Sequence, residues 1–345
     1  MSTPMVAPET STAPGDGGGG GSLFLAEVHR LLARRLVRLL VLLGVVLYLI
    51  VVVVTAVQTA KPTAESLQRA RAIQAEQAAV NEGYRQQCLA DPSIPESDKP
   101  NACPSPEEID PSSASDYLEK PAFTLGSDLP NGAQALGGGT AALLFLIGAT
   151  VIGAEWSSRS IVALLFWEPR RLKVMAVKLL VTALGAALLA AAAQAAWLAT
   201  ANVLARTNGT TEVPAGFWSE TLQLQGRLVV LGVIVALLGF GIANLIRNTG
   251  AAMGAGFVYF AVVENAVRAF RMPWSQWLFT ENIAAFMSET GHKISIYTER
   301  MTPEGLMSTE RIINVAPGRG LATLLAYTAT IVALGVVAFK RRDLT

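Results

Sequence analysis

This sequence predicts an all-α, polytopic integral membrane protein with six transmembrane helices, and three observations carry that reading. Hydrophobic residues make up 52% of the chain against 15% charged, and the mean hydropathy is +0.42, which is more apolar than ordinary soluble domains. A helix needs roughly 20 apolar residues to cross a hydrocarbon core about 30 Å thick, and six segments approach that length: 39–57, 136–154, 174–203, 228–246, 250–267 and 321–339. Finally, Lys and Arg cluster beside the ends of these segments in short connections on one face of the predicted topology, whereas on the other face they are diluted in longer segments and mixed with acids.

The first 22 residues are rich in Gly, Ser, Thr and Pro and include the run GDGGGGG. With no apolar surface to offset the entropy of ordering, they are expected to form a disordered cytoplasmic tail. The stretch LFLAEVHRLLARRLVRLL follows, with Leu25, Val28, Leu32, Leu36 and Leu39 at helical spacing and Arg30, Arg34 and Arg38 on another face. It is expected either to lie in the interface as an amphipathic helix, basic side toward anionic headgroups, or to extend the first span with snorkelling arginines. Basic residues before an apolar run also fit a secretory signal peptide. The run 39–57 is longer than the roughly 7–15 residues of such a core, so 23–57 is read as interfacial helix plus uncleaved anchor.

Orientation follows from basic residues close to span ends. Arg30, Arg34, Arg35 and Arg38 precede the first span. Arg159, Arg170, Arg171 and Lys173 separate the second from the third, Arg247 follows the fourth, and Lys340, Arg341 and Arg342 follow the sixth. That face is expected to be cytoplasmic, with both termini and the tail 340–345 inside and the protein multi-pass in the plasma membrane. The other face receives 58–135, 204–227 and 268–320.

In the first of these outer segments, AESLQRARAIQAEQAAVNEGYRQQ reads as a helix after Pro62, and a proline-rich stretch follows. Cys88 and Cys103, the only cysteines, both fall here on the oxidising side. They are two free thiols or one bridge, and a bridge closing a loop of this size would add ~3 kcal/mol. The segment MPWSQWLFTENIAAFM suggests short outer helices before the last span. Glu264 and Arg268, four apart near the outer end of span five, form a helical ion pair or a gate.

Several function classes drop out. The 27 basic residues nearly balance the 26 acidic ones, so nothing global points to nucleic acid. No phosphate loop and no H-E-x-x-H helix occur, and the two histidines, His29 and His292, lie far apart. No metal site and no catalytic group are expected, and a catalyst working within the membrane would need more than Glu264.

The stretch GAEWSSRSIVALLFWEPRRLKVMAVK is the unusual one. Ser157 or Ser158 is a sound N-cap, SIVALLFW is apolar, and Pro169 ends the helix. About ten helical residues span only ~15 Å, too little to cross a bilayer. Such a helix lies along the surface held by lipid, or docks into a cytoplasmic partner.

The order Glu155, short apolar helix, Pro169, Arg170, Arg171 and then Lys178 in the next span resembles the membrane subunits of type-2 ATP-binding-cassette export permeases. Arg159-Ser160 stands where that family has a Gly-Thr step. IRNTGAA and the ending FKRRDLT are similar to further parts of the pattern. The resemblance implies a permease subunit that pairs with a second copy or a close relative in the bilayer. A separate cytoplasmic ATPase carrying ATP and Mg would drive it, through a coupling helix between spans two and three, to export a substrate. Glu155, Arg159, Glu168, Arg170 and Arg171 are then the candidate coupling contacts. The alternative is a non-transporting sensor or assembly anchor that presents 58–135 outside the cell.

Overall fold

The computed structural model describes residues 19–105, 113–270, 273–302 and 305–341. Residues 1–18 of the expected tail and the ending 342–345 lie outside them, whereas 19–22, expected to belong to that tail, open a helix. Six of the described helices are long and apolar enough to cross a membrane. They are α2 (Arg35–Gln58), α4 (Leu125–Ser157), α6 (Arg171–Asn208), α7 (Phe217–Ile246), α8 (Thr249–Ala269) and α10 (Pro317–Arg341). Shorter helices include α1 (Gly19–Ala33), α3 (Ala64–Ala90), α5 (Ser160–Trp167) and α9 (Phe279–Met287).

Most spans are longer than their apolar runs. The second starts at Leu125, not 136, which shortens the outer segment expected over 58–135. One local feature supports the early start: the Asp128 carboxylate accepts the Thr124 N–H at 2.6 Å, whereas Pro130, the sixth helical residue, removes the N–H that would reach the Gly126 carbonyl. α8 carries a π-helical turn over Tyr259–Val263, immediately before Glu264.

The chain divides into two compact units, one of 1–41, 141–188 and 231–345, the other of 42–140 and 189–230. In the first, Phe145, Leu231, Val235, Leu238, Phe279 and Leu324 form one core cluster. Ile152, Ile161, Met175, Phe240 and Phe339 form another, which seats α5 among α4, α6, α7 and α10. Glycines let α4 and α7 approach closely. A Cβ on Gly148 would lie 2.0 Å from the Ala236 carbonyl oxygen, and one on Gly239 would lie 2.3 Å from that of Phe145. Gly250 and Gly254 have the G-x-x-x-G spacing that can bring helices together, but a Cβ on Gly254 would meet nothing within 4 Å, so no close approach occurs at that position.

The segment 268–320, expected to hold only short helices and loop, contains an antiparallel hairpin, β3 (His292–Thr302) with β4 (Gly305–Val315). Buried Ile294 and Ile296 alternate with exposed Lys293, Ser295 and Tyr297, and the buried face packs with Val315 on Ala285 of α9. The period-two pattern of HKISIY carries that strand signal.

In the second unit, Thr63 and Ser66 form a capping box that starts α3 where Pro62 led one to expect it. Cys88 and Cys103 are disulfide-bonded, with Cα atoms 5.7 Å apart. Trp197 of α6 donates Nε1–H to the Leu129 carbonyl at 2.9 Å, and Gln194 donates to that of Ala133 at 3.2 Å. Interhelical hydrogen bonding is thus the observed role of Gln194. Asn208, in the sequon-like NGT, spends its side-chain amide on the Ala56 and Thr59 carbonyls at 2.8 and 2.9 Å. Two-residue strands β1 (Phe123–Thr124) and β2 (Gly209–Thr210) pair in parallel, and a Cβ on Gly209 would collide with the Phe123 backbone.

Candidate functional site

The site is built where the chain breaks its helices. α1 and α2 are separated at Arg34, and α4 and α5 at Arg159, which takes a left-handed conformation with φ 54°. α5 therefore starts at Ser160 and not at a serine cap on Ser157 or Ser158. Those two hydroxyls turn back to the Gly153 and Ala154 carbonyls, which extends α4 instead.

Around these breaks lies a buried ion cluster. Lys178 of α6 is 0% exposed, and its Nζ donates to Glu27 Oε2 of α1 at 2.7 Å and to Glu155 Oε1 of α4 at 2.8 Å. Arg34 donates through Nη2 to the same Glu155 oxygen at 2.5 Å and through Nη1 to the Thr150 carbonyl at 2.7 Å. Arg30 closes the chain on Glu27 Oε1 at 2.9 Å. Lys178 is the shared partner of both carboxylates, so the cluster ties α1, α4 and α6 together through it, while Arg30 and Arg34 each add a second cation to one carboxylate.

Of the basic residues on the N-terminal helices, Arg34 turns inward to Glu155, whereas Arg30 and Arg38 are exposed, as are Leu25, Leu32, Leu36 and Leu39. The sequence reading also missed Glu27, and it used Lys178 only as part of a pattern. A lysine within an apolar span requires a partner, and that was the available signal.

The five candidate coupling residues do not form one group. Glu155 belongs to the buried cluster. Glu168 caps the C-terminal end of α5 and pairs with Arg170 and Lys173, both at 2.8 Å. The Arg170 and Lys173 hydrogen bonds hold the Glu168 carboxyl well below its usual range, at about 2. Arg171 reaches the carbonyls of Phe339 and Lys340 at the end of α10, and Arg159 lies exposed at the left-handed break. Between the two ion clusters, α5 buries Ile161 and Leu164 and leaves Phe166 and Trp167 85% and 90% exposed.

The neighbouring turn between α7 and α8 is braced to α4. Trp156 donates to Asn244 Oδ1 at 3.1 Å, lies under the Arg247 guanidinium at 4.6 Å and meets Phe339 edge-on. Arg247, at φ 59°, ends α7, and the Asn248 side chain caps α8 by accepting from Ala251 N–H.

Glu264 and Arg268 are in contact at 3.2 Å, with Glu264 fully buried. They belong to a larger set: Glu264 also accepts from the Thr280 backbone N–H and hydroxyl, Arg268 pairs with Glu281 at 2.7 Å, and His292 Nε2 lies 2.8 Å from the other Glu281 oxygen. The pair thereby ties α8 to α9 and to the root of the hairpin.

Comparison with protein-family models gives no match, and comparison with curated protein sequences gives none either.

Proposed function

We propose that this chain is the permease subunit of an ATP-binding-cassette exporter, paired in the membrane with a second permease copy and driven by a separate cytoplasmic ATPase that carries ATP and Mg. The observation that carries the reading is α5. Its eight residues span about 12 Å, too little to cross a bilayer. It ends in two exposed aromatics, and α4, which leads into it, is tied by buried charges to Lys178 of α6 and to Arg34 at the break between α1 and α2. A short stiff element with a bare aromatic tip and a rigid base suits the transfer of a partner's motion into spans, because exposed Phe and Trp are the kind of anchors that fill a partner's pocket. The crowding of Lys and Arg on that face favours the cytosol, and the resemblance of Glu155 through Lys178 to the export permeases points the same way.

In this reading Phe166, Trp167, Glu168, Arg170 and Arg171 meet the ATPase, and Glu155 with Lys178 passes the displacement to α4 and α6. Gentle purification of the tagged protein is expected to bring down a polypeptide with a phosphate loop. Phe166→Ala with Trp167→Ala should reduce that recovery by ten-fold or more, since each truncated hot-spot anchor costs on the order of 2 kcal/mol. Arg170→Glu should act in the same direction. Absence of any such polypeptide, or its undiminished recovery with all three changes, would overturn the proposal in favour of a non-transporting anchor.

A further inference from the structure

α1 is seated on a charge. Among its side chains of described burial, from 23 to 33, Glu27 alone is buried, while Leu25, Arg30 and Leu32 are exposed. Partly buried Leu31 adds an apolar contact, packing on the core cluster that contains Ile152, Ile161 and Met175. The strongest single tie between α1 and the helices beneath it is therefore the charged bond from Lys178 Nζ to Glu27 Oε2 at 2.7 Å.

The charges are arranged so that this one bond can open without stranding any of them. On α1, Glu27 Oε1 keeps Arg30, three residues on, at 2.9 Å. On the body, Lys178 keeps Glu155 at 2.8 Å, and Glu155 also keeps Arg34. Losing every partner is the costly event for a buried ion, and separation along the Glu27–Lys178 bond spares both sides that loss. A pivot is present as well. The helix is interrupted at Arg34, between α1 and α2, and the Arg34 side chain is fixed to the Thr150 carbonyl and to Glu155. A segment that is latched at one residue and joined to the body through a break in its helix at another has the parts of a hinge.

We propose that α1 is a hinged arm, latched by Glu27 to Lys178 and pivoting at Arg34, which braces the root of α5 when docked and releases it when the latch opens. The brace runs through the cluster that Leu31 shares with Ile161 of α5. The proposal is independent of the ATPase assignment.

The test uses the full-length protein in lipid nanodiscs, with spin labels on cysteines introduced in place of His29 and Leu172, exposed positions on α1 and α6. The native cysteines are bonded to each other and do not take label. A second pair, at exposed Leu172 and Leu334, reports on the body alone. Glu27→Gln keeps the shape of the side chain and removes its charge. It should raise the share of a longer 29–172 distance about ten-fold, as expected when a charged hydrogen bond becomes a neutral one, with the 172–334 distance unchanged. Leu31→Ala, which touches no charge, should shift the arm in the same direction and decides the matter alone if Glu27→Gln does not accumulate. An unchanged 29–172 distance would mean a fixed helix, and a 172–334 distance that moves with Glu27→Gln would mean that Glu27 holds the body itself together; either result overturns the proposal.

Discussion

Lys178 concentrates the residue-scale physics of this protein, because it is a fully buried cation in an apolar helix held by two carboxylates from two other helices. Lys178→Met would leave Glu27 and Glu155 facing each other without their shared partner, at a cost of about 3–5 kcal/mol. The expected outcome is a marked loss of stability in a detergent-based unfolding assay, partly restored when Glu27→Gln is added. Full stability of the single variant would contradict the pairing. Glu168 makes a different prediction. Its carboxyl is held at about 2 against an ordinary value of 4.5, first by Arg170 and then by Lys173. A depressed acid stabilises the fold above its ordinary value and loses that contribution as pH falls through the folded one. Glu168→Gln should therefore flatten the stability profile between about pH 4.5 and 2 and leave its shape unchanged above that window. The need of Lys178 for a partner was readable from sequence, whereas the identity of Glu27 was not, since it lies 151 positions away.

At the scale of elements, α4 and α7 are joined by backbone proximity, with Gly148 on one and Gly239 on the other. Gly148→Leu would drive a side chain into the Ala236 carbonyl and force the helices apart. It is expected to cost about 1–3 kcal/mol or more, read as a lowered melting temperature, whereas Gly254→Leu at an open position should change little. Ala149 with Gly153 and Gly250 with Gly254 are small-residue pairs four apart in the chain. Ala149 borders the α4–α7 seam, its amide nitrogen 3.2 Å from a Cβ placed on Gly239, and a Cβ on Gly153 would press on Thr249, whereas Gly254 is open, because glycine spacing does not say which face meets a neighbour. The short helix α5 was legible from its apolar run and Pro169. Its start was not, because the two serines satisfied the chemistry of an N-cap equally well as that of a helix end. The hairpin went unread although its alternation was present. Aromatic and apolar residues upstream drew the reading toward helices, and alternation over a few residues is a weak signal by itself.

For the whole molecule, six helices of 21 to 38 residues among the described residues are long and apolar enough to cross a membrane. The first has a window of mean hydropathy 3.1 with only 6% of it buried, so the rest of the chain leaves nearly all of that apolar surface uncovered. The proposed orientation is tested with single cysteines in a variant lacking Cys88 and Cys103. A cysteine at Arg170 should resist an impermeant thiol reagent in intact cells, whereas one at Tyr297 should react, and the reverse pattern would invert the topology. The sequence by itself determined the class, the spans and the presence of a helix too short to cross. Those properties depend on local hydrophobicity and chain length, which are written residue by residue. Tertiary structure alone decided that Arg34 turns inward, that Glu27, Glu155 and Lys178 share one buried site, and that Gly148 meets Ala236. Each is a contact between residues distant in the chain, chosen by packing and by the high cost of leaving a charge or a backbone carbonyl unmatched in an apolar interior.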